Sequence, residues 1–325
     1  MKKLLSILLM ALLSSCTFQG KSEEAKPEIE RNVFTGLPGA NGKVFAVKFD
    51  DTTYSHPQEG LDAADVVFVT QVEAGLTRVM GIYSSQYPEI LGPVRSARIS
   101  DIDILAQFGR VGFLYSGAQS KLRPVLASSN IVNLSAERNP PTIYFNTPER
   151  TPPYAMMVKP NLLLEKATDV DMAKSVGWVH GARAASTKKI VSATIHWPNA
   201  VYKATWNRSE KKFLLDHDKK PNLSTSGLQL GSPMMVIQMV SIKPSEYGDK
   251  FGGITPKTTV TGSGTAYLLR NGAVTLARWE RPTPESPTLW TLEDGTTAFF
   301  QRGQVWVFLT DQEPEFEYAP LDPEK

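Results

Sequence analysis

The sequence predicts an α+β fold, with an N-terminal α/β sandwich-like domain followed by a mostly antiparallel β domain. Strand-like and helix-like segments alternate through residues 34–180, as layered α/β structures require. Beyond residue 190, short β-branched and aromatic runs recur between turn signals such as Asn271-Gly272, which is typical of a hairpin. The 23 glycines and 23 prolines favour many turns over a helical bundle.

The start of the chain resembles the signal peptide of a bacterial lipoprotein. Lys2 and Lys3 precede an apolar run of about ten residues, too short to span a bilayer. Leu13-Ser14-Ser15-Cys16 then resembles a lipobox, and Cys16 is the only cysteine in the chain. We therefore expect lipidation of Cys16, with palmitate-like acyl chains holding the protein on the extracytoplasmic face of the cell membrane. The alternative is an ordinary signal peptide with a chance cysteine.

The patterns divide the chain into six predicted segments. They are a signal peptide with its lipobox (1–16), a polar tether (17–33), the N-terminal α/β domain (34–180), a linker (181–190), the β-rich C-terminal domain (191–310) and a loose acidic tail (311–325). The tether and the tail are charged and lack hydrophobic periodicity, which is typical of segments without a packed core.

Charge limits the partners that the protein can have. The formal net charge of +2 equals the charge of Lys2 and Lys3, so the chain beyond the signal peptide is formally neutral. This argues against nucleic acid, whose binding needs a basic surface. The expected partners are the membrane through the lipid anchor, a cell-wall glycan or peptide ligand, and an envelope protein. No cofactor is expected.

An arginine pair indicates where a ligand binds. We expect a helix over residues 94–108, and i,i+3 spacing would place Arg95 and Arg98 on one face of its first turn. Cations are unfavourable at a helix N-terminus unless an anion neutralises them. We therefore predict an anion-binding site that contains Arg78, Arg95, Ser96 and Arg98. The alternative, which can coexist, is that the protein's own acids neutralise these arginines.

Acidic side chains gather at strand ends in the same part of the chain. The candidates, either as ion-pair partners of the arginines or as catalytic acids, are Asp50, Asp51, Asp65, Glu73 and Asp101. Paired carboxylates can cleave glycosides, which makes a cell-wall hydrolase the alternative function.

The four histidines do not predict a metal site. His56, His180, His196 and His217 have none of the common metal-ligand spacings, and no second cysteine is present. Asp216 and Asp218 flank His217, and we expect this segment to be a solvated turn.

Several motifs resemble the YerB-like family of bacterial lipoproteins, whose function is unknown. They are Pro57-Gln58, Gly60-Leu61, Ala64-Asp65-Val66-Val67, Val72-Glu73-Ala74-Gly75-Leu76-Thr77-Arg78, Gly92-Pro93-Val94-Arg95-Ser96-Ala97-Arg98, Gly262-Ser263-Gly264, Asn271-Gly272, Trp279 and Gly303-Gln304-Val305-Trp306. The resemblance covers residues 35–310 and implies an α/β sandwich-like N-terminal domain and a β-rich C-terminal domain. The chain departs from the family pattern at residues 115–120 and 153–156, where the family typically has histidines.

These observations predict a membrane-anchored envelope lipoprotein. It would be a non-enzymatic module that binds an anionic cell-wall ligand or a wall-synthesis partner near Arg78, Arg95 and Arg98. The alternatives are a cell-wall hydrolase and a purely structural tethered scaffold.

Overall fold

The protein is mainly β. A computed structural model describes residues 29–182, 187–249 and 252–320. About 44% of the chain is strand and 10% helix, in two domains. The predicted α/β sandwich-like N-terminal domain therefore has less helix than we expected from the sequence. The α-helices of the described residues are only eight, six and four residues long.

The N-terminal half contains seven strands, three α-helices and four short 3₁₀ helices among the described residues. The strands are β1 (Phe45–Asp50), β2 (Val66–Gln71), β3 (Thr77–Tyr83), β4 (Val111–Leu114), β5 (Ile131–Asn133), β6 (Tyr144–Asn146) and β7 (Met156–Val158). The α-helices are α1 (Ile99–Ala106), α2 (Arg123–Ser128) and α3 (Asn161–Leu164). The 3₁₀ helices are Thr53–Ser55, Leu61–Ala63, Glu73–Gly75 and Ala136–Arg138.

The C-terminal half is built from strands, as the recurring β-branched runs predict. They are β8 (Lys188–Trp197), β9 (Ala200–Asn207), β10 (Lys212–His217), β11 (Lys220–Pro221), β12 (Gly231–Ser232), β13 (Met234–Met239), β14 (Ser241–Gly248), β15 (Ile254–Thr259), β16 (Gly262–Arg270), β17 (Ala273–Arg281), β18 (Leu289–Leu292), β19 (Val305–Thr310) and β20 (Glu315–Tyr318).

One sheet crosses both halves. Its strand order is β11-β10-β9-β8-β17-β16-β13-β19-β2-β3-β1-β4-β5. Most pairs are antiparallel, but β19 is parallel to both β13 and β2. In the N-terminal part, β1 and β2 both pair antiparallel with β3, and β4 pairs parallel with β1. The carboxyl ends of β1, β2 and β4 therefore lie at the same edge of the sheet.

Side chains of this central part alternate between two hydrophobic cores, because successive strand residues point to opposite faces. Phe45, Val47 and Phe49 belong to one core together with Tyr202 of β9. We call this side of the sheet the β9 face. Ala46 belongs to the other core, which includes residues of α1, and we call this side the α1 face.

The helix predicted over residues 94–108 begins only at Ile99. The preceding segment is extended, because its backbone bonds to neighbouring segments. The Arg95 N–H donates to the Lys48 carbonyl at 2.8 Å, and the Ala97 N–H donates to the Gly117 carbonyl at 3.0 Å. The expectation that Arg95 lies on the first helical turn is therefore wrong, and Arg98 is the residue that precedes the helix.

Three predicted irregular segments contain regular structure. Arg31, in the predicted tether, forms a β-bridge with Pro38. The predicted linker overlaps the start of β8, and β20 lies in the predicted loose tail, where it pairs with β8. These strands form because each finds a neighbouring strand to satisfy its backbone groups. The signal peptide with Cys16, residues 17–28 of the tether, residues 183–186 and residues 321–325 lie outside the described residues. Within the described part of the chain, no helix is long and apolar enough to cross a membrane.

Candidate functional site

A cavity of about 670 Å³ opens at the sheet edge where β1, β2 and β4 end. Its walls come from the turn after β2, from β3, from the extended segment before α1, from the loop after β4 and from the tip of the β14–β15 hairpin. All four residues predicted to bind an anion line it, namely Arg78, Arg95, Ser96 and Arg98. We call it the arginine cavity.

Arg95 has the most exposed side chain of the three arginines. Its side chain is 23% exposed, and its Nε lies 2.5 Å from Oδ2 of the fully buried Asp50. The guanidinium also lies 5.7 Å from the ring centroid of Tyr154. Among the described residues, none accepts a hydrogen bond from its two terminal nitrogens. Arg95 therefore keeps donors available for a bidentate anion.

Arg98 is held by Glu73 at the turn after β2. Its terminal nitrogen donates to Glu73 Oε2 at 2.8 Å, and its Nε lies 2.6 Å from Oε1. The Thr255 hydroxyl donates to the same carboxylate. Burial alone would raise the pKa of Glu73, but the hydrogen bonds and charge of Arg98, together with Thr255, bring that pKa below its usual range. Glu73 is therefore an ionised partner at neutral pH.

Arg78 lies deeper in the wall. One terminal nitrogen donates to the Thr77 carbonyl at 3.1 Å, and the other lies 3.6 Å from Asp50 Oδ2. Because Arg78 and Asp50 are register partners on β3 and β1, the strand pairing itself places the guanidinium beside the carboxylate.

A second ion pair lies on the same face, away from solvent. Lys48 Nζ is 2.5 Å from Asp101 Oδ1, and both side chains are fully buried. The other Asp101 oxygen accepts the Arg98 backbone N–H at 2.7 Å, which caps the start of α1. Burial lowers the pKa of Lys48, and the neighbouring Asp101 acts in the opposite direction.

The protein's own acids thus neutralise only part of the arginine charge. Asp50 and Glu73 pair with Arg78, Arg95 and Arg98, which leaves one more guanidinium than carboxylate in this network. Two further acids line the cavity. Glu137 pairs with Arg123 at 2.6 Å, and Asp249 accepts a backbone N–H at the hairpin tip. The three arginines therefore contact the protein's own acids and also face the cavity.

The turn that carries Glu73 has an unusual backbone. Ala74 lies in the left-handed region with a φ of 56°, which costs free energy for a residue with a Cβ. Asn199, which follows β8, stabilises the turn by donating to the Ala74 carbonyl at 2.6 Å and to the Gly75 carbonyl at 2.9 Å. The C-terminal half therefore fixes one wall of the arginine cavity.

Asp51 lies on the opposite side of the sheet from Asp50. The Thr77 hydroxyl donates to its Oδ2 at 2.6 Å, and the Tyr202 hydroxyl lies 2.9 Å from both oxygens. His56 Nε2 is 3.2 Å from Oδ1. Burial would raise the pKa of Asp51, but the charge of His217, the hydrogen bond and charge of His56, and the Thr77 hydroxyl hold that pKa well below its usual range.

The expectation that His217 lies in a solvated turn is wrong. It is the last residue of β10, and only 5% of its side chain is exposed. Its Nε2 lies 3.7 Å from Asp51 Oδ2, and its ring stacks on His56 with the centroids 4.8 Å apart. The pairing of β10 with β9 brings it beside Tyr202, its register partner.

Asp65 does not join the other acids. It precedes β2 and therefore lies at the opposite end of the strands from the arginine cavity. Its carboxylate accepts hydrogen bonds from the hydroxyls and backbone N–H groups of Ser84 and Ser85, which follow β3. Burial raises the pKa of Asp65, and the serine hydrogen bonds act in the opposite direction. Asp65 closes the end of this hairpin.

The sequence alone does not indicate that Asp51, His56 and His217 come together. Their spacing in the chain is too large for a local motif, so only the pairing of distant strands reveals it. One signal was available, because two aspartates that follow a strand are expected to continue its alternation and to separate onto opposite faces.

Fold and site together define a two-domain, mainly β protein whose halves share one sheet, with an arginine cavity at the edge of that sheet. Models of the two domains of "Protein of unknown function (DUF3048)" match residues 34–173 (N-terminal domain) and 193–307 (C-terminal domain). The chain belongs to this family, and the predicted YerB-like relationship is confirmed.

Two comparisons concern one relative in Bacillus subtilis. "Putative lipoprotein YerB" of strain 168 is 30% identical over 105 residues, which are 30% of this chain. The matched region spans only 32% of the length of that relative. The crystal structure of the YerB protein from Bacillus subtilis superposes with a TM-score of 0.75 at 17% identity, covering 88% of this chain and 99% of that structure. The structural likeness shows a shared fold.

Proposed function

We propose that the protein is a lipid-anchored envelope lipoprotein whose arginine cavity binds an anionic cell-wall ligand without catalysing a reaction. The observation that carries the proposal is the state of Arg95. It lines the cavity, is partly exposed, and has terminal nitrogens that donate no hydrogen bond to the described residues. The lipobox-like residues before Cys16 and the name of the Bacillus relative support the anchor.

The ligand that fits best carries carboxylates and a cationic group. Planar guanidiniums bind carboxylates in a bidentate way, and the arginine network has a surplus of one positive charge. Glu137, which also pairs with Arg123, and Asp249 place negative charge elsewhere on the cavity wall, beside which a positive group of the same ligand can lie. Cell-wall peptides combine carboxylates with an amine, whereas a simple phosphate carries only negative charge.

The hydrolase alternative receives less support from the geometry. A general acid needs a carboxyl group that is accessible and has a raised pKa. Asp50 and Asp51 are fully buried, and the pKa of Glu73 is lowered rather than raised. These carboxylates are already engaged by arginines, hydroxyls and imidazoles of the protein.

Binding of soluble muropeptides to the purified chain in detergent, measured by calorimetry, tests the proposal. Arg95→Ala together with Arg98→Ala should weaken binding by roughly tenfold to a hundredfold, because charge-assisted hydrogen bonds are lost. Arg110→Ala is the matched control, since Arg110 is about half exposed, pairs with Asp169 and does not line the cavity. Equal binding by the folded double variant would contradict the proposal.

The anchor is tested separately by Cys16→Ser. This variant should leave the membrane fraction and should not incorporate a palmitate analogue during growth, whereas the unmodified chain should do both. A variant that still fractionates with the membrane and carries the acyl label would refute lipidation at Cys16.

A further inference from the structure

A cluster of potential metal ligands lies on the β9 face of the sheet. Asp51, His56 and His217 each offer one ligand atom, and these atoms lie within 4.8 Å of one another. Asp51 lies close to both histidines. Its Oδ1 is 3.2 Å from His56 Nε2, and its Oδ2 is 3.7 Å from His217 Nε2. Ligand atoms about 2 Å from a tetrahedral ion lie roughly 3.3 Å apart. Because the His56 and His217 rings are stacked nearly parallel, with 9° between their planes, one ring must rotate and the ligand atoms must move closer together when an ion binds.

Unpartnered polar atoms in the cluster point independently to a ligand. His217 Nε2 is buried and makes no hydrogen bond. The same holds for Oε1 of Gln58, whose amide nitrogen lies 3.3 Å from Asp51 Oδ1, and for Nδ2 of Asn222. Buried polar groups without a partner are rare in native proteins and call for a bound water or ion.

Neighbouring side chains already orient the three ligands. The His56 Nδ1–H can donate to Asn222 Oδ1 at 3.0 Å, which leaves the lone pair of Nε2 directed at the cluster. The hydroxyls of Thr77 and Tyr202 donate to the Asp51 carboxylate. Metal-binding histidines and carboxylates typically have such supporting hydrogen bonds.

We propose that Asp51, His56 and His217 bind one divalent transition-metal ion of the Zn²⁺ class. Two imidazoles and one carboxylate suit Zn²⁺ better than Ca²⁺ or Mg²⁺, which prefer oxygen ligands. His56 is the solvent-facing member, 17% exposed, and it lines a second cavity of about 520 Å³ with Tyr54, Arg150 and Tyr154. The ion enters from this side, where a water completes its coordination.

The bound ion also joins the two halves of the protein. Asp51 and His56 come from the segment after β1, whereas His217 ends β10 in the C-terminal half. The site therefore stabilises the folded state by linkage, because the three ligands come together only in that state.

Titration of the purified full chain in detergent with Zn²⁺ alone, after chelator treatment and dialysis, tests the site. One equivalent should bind and raise the thermal unfolding temperature, and Co²⁺ should give the visible absorption of a four- or five-coordinate ion. A folded wild-type chain that binds neither ion stoichiometrically would overturn the proposal, and the cluster would then be a His56–Asp51 ion pair.

Three variants test whether the ion binds at these residues. His217→Gln and His56→Gln should each weaken Zn²⁺ binding by more than about tenfold, and Tyr202→Phe by roughly tenfold because it removes a supporting hydrogen bond. The matched control His196→Gln should bind like the unchanged chain, since His196 is 35% exposed and contacts Glu315 instead. Unchanged Zn²⁺ affinity in either folded ligand variant would overturn the assignment, whereas muropeptide binding at the arginine cavity is measured independently.

Discussion

Asp50 and Asp51 are neighbours in the chain, yet they belong to two chemically different sites on opposite faces of the sheet. Asp50 lies among guanidiniums beside an open cavity, whereas Asp51 accepts hydrogen bonds from hydroxyls and contacts two imidazoles. The difference arises because β1 alternates its side chains and the two faces are covered by different halves of the protein. The proposed anion site and the proposed metal site therefore share one strand end.

The largest expected effect concerns the buried ion pair on the α1 face. Asp101→Asn should lower the free energy of unfolding by about 3–5 kcal/mol, because it leaves the fully buried Lys48 without its counter-charge. Asp50→Asn should cost less, about 2–3 kcal/mol, because Arg95 can reach solvent although the deeper Arg78 also loses its counter-charge. Urea unfolding measures both losses, with Asp169→Asn as an exposed control. Equal losses of unfolding free energy at Asp101 and Asp50 would show that the burial of an ion pair does not decide its contribution to stability.

A smaller effect depends on pH and belongs to the cavity wall. The lowered pKa of Glu73 means that its ionised form stabilises the folded protein above the unfolded-state pKa, and that this contribution is lost as the pH falls through the folded-state pKa. The unfolding free energy of the wild type should therefore exceed that of Glu73→Gln at pH 7. Urea midpoints should converge as the pH is lowered below the usual range of a glutamate pKa. A gap that stays constant over this range would mean that the carboxylate charge is not what stabilises the turn.

The smallest effect concerns the backbone that joins the two halves at the cavity. Ala74→Gly should raise the free energy of unfolding by about 0.5–1 kcal/mol, because glycine adopts a positive φ without steric cost. The neighbouring Gly75→Ala should lower it, since the added Cβ would lie 2.6 Å from Pro198 Cβ. Thermal unfolding of the two variants compares them directly, and destabilisation by Ala74→Gly would refute the assigned strain.

Structure that depends on neighbouring residues could be predicted from the sequence, whereas contacts between residues far apart in the chain could not. The first three strands follow from hydrophobic runs. Arg78, Arg95 and Arg98 line one cavity, but not through the helical spacing that predicted their grouping. The helix begins later than the sequence predicts, because the segment before Ile99 forms backbone hydrogen bonds to β1 and to the loop after β4. Hydrophobic periodicity does not indicate these bonds. His217 was misjudged since its burial depends on β9 and on the segment after β1, which lie far away in the chain.

The separation into two sites also explains why the acids could not be ranked from sequence. Residue type makes Asp50, Asp51, Asp65 and Glu73 equivalent, but only Asp50 and Glu73 contact the arginines of the cavity. Asp65 accepts hydrogen bonds from Ser84 at the end of the β2–β3 hairpin, and Asp51 contacts the imidazoles of His56 and His217. Their roles are set by strand direction and alternation.

In the proposed function, the arginine cavity binds an anionic wall ligand in competition with the protein's own acids. Calorimetric affinity of a muropeptide for Glu73→Gln, relative to the wild type, tests it most directly. Loss of this carboxylate frees Arg98 and should tighten binding by roughly threefold to tenfold. Unchanged or weaker binding by the folded variant would contradict the claim, because a ligand that contacts these guanidiniums must gain when their internal partner is neutralised.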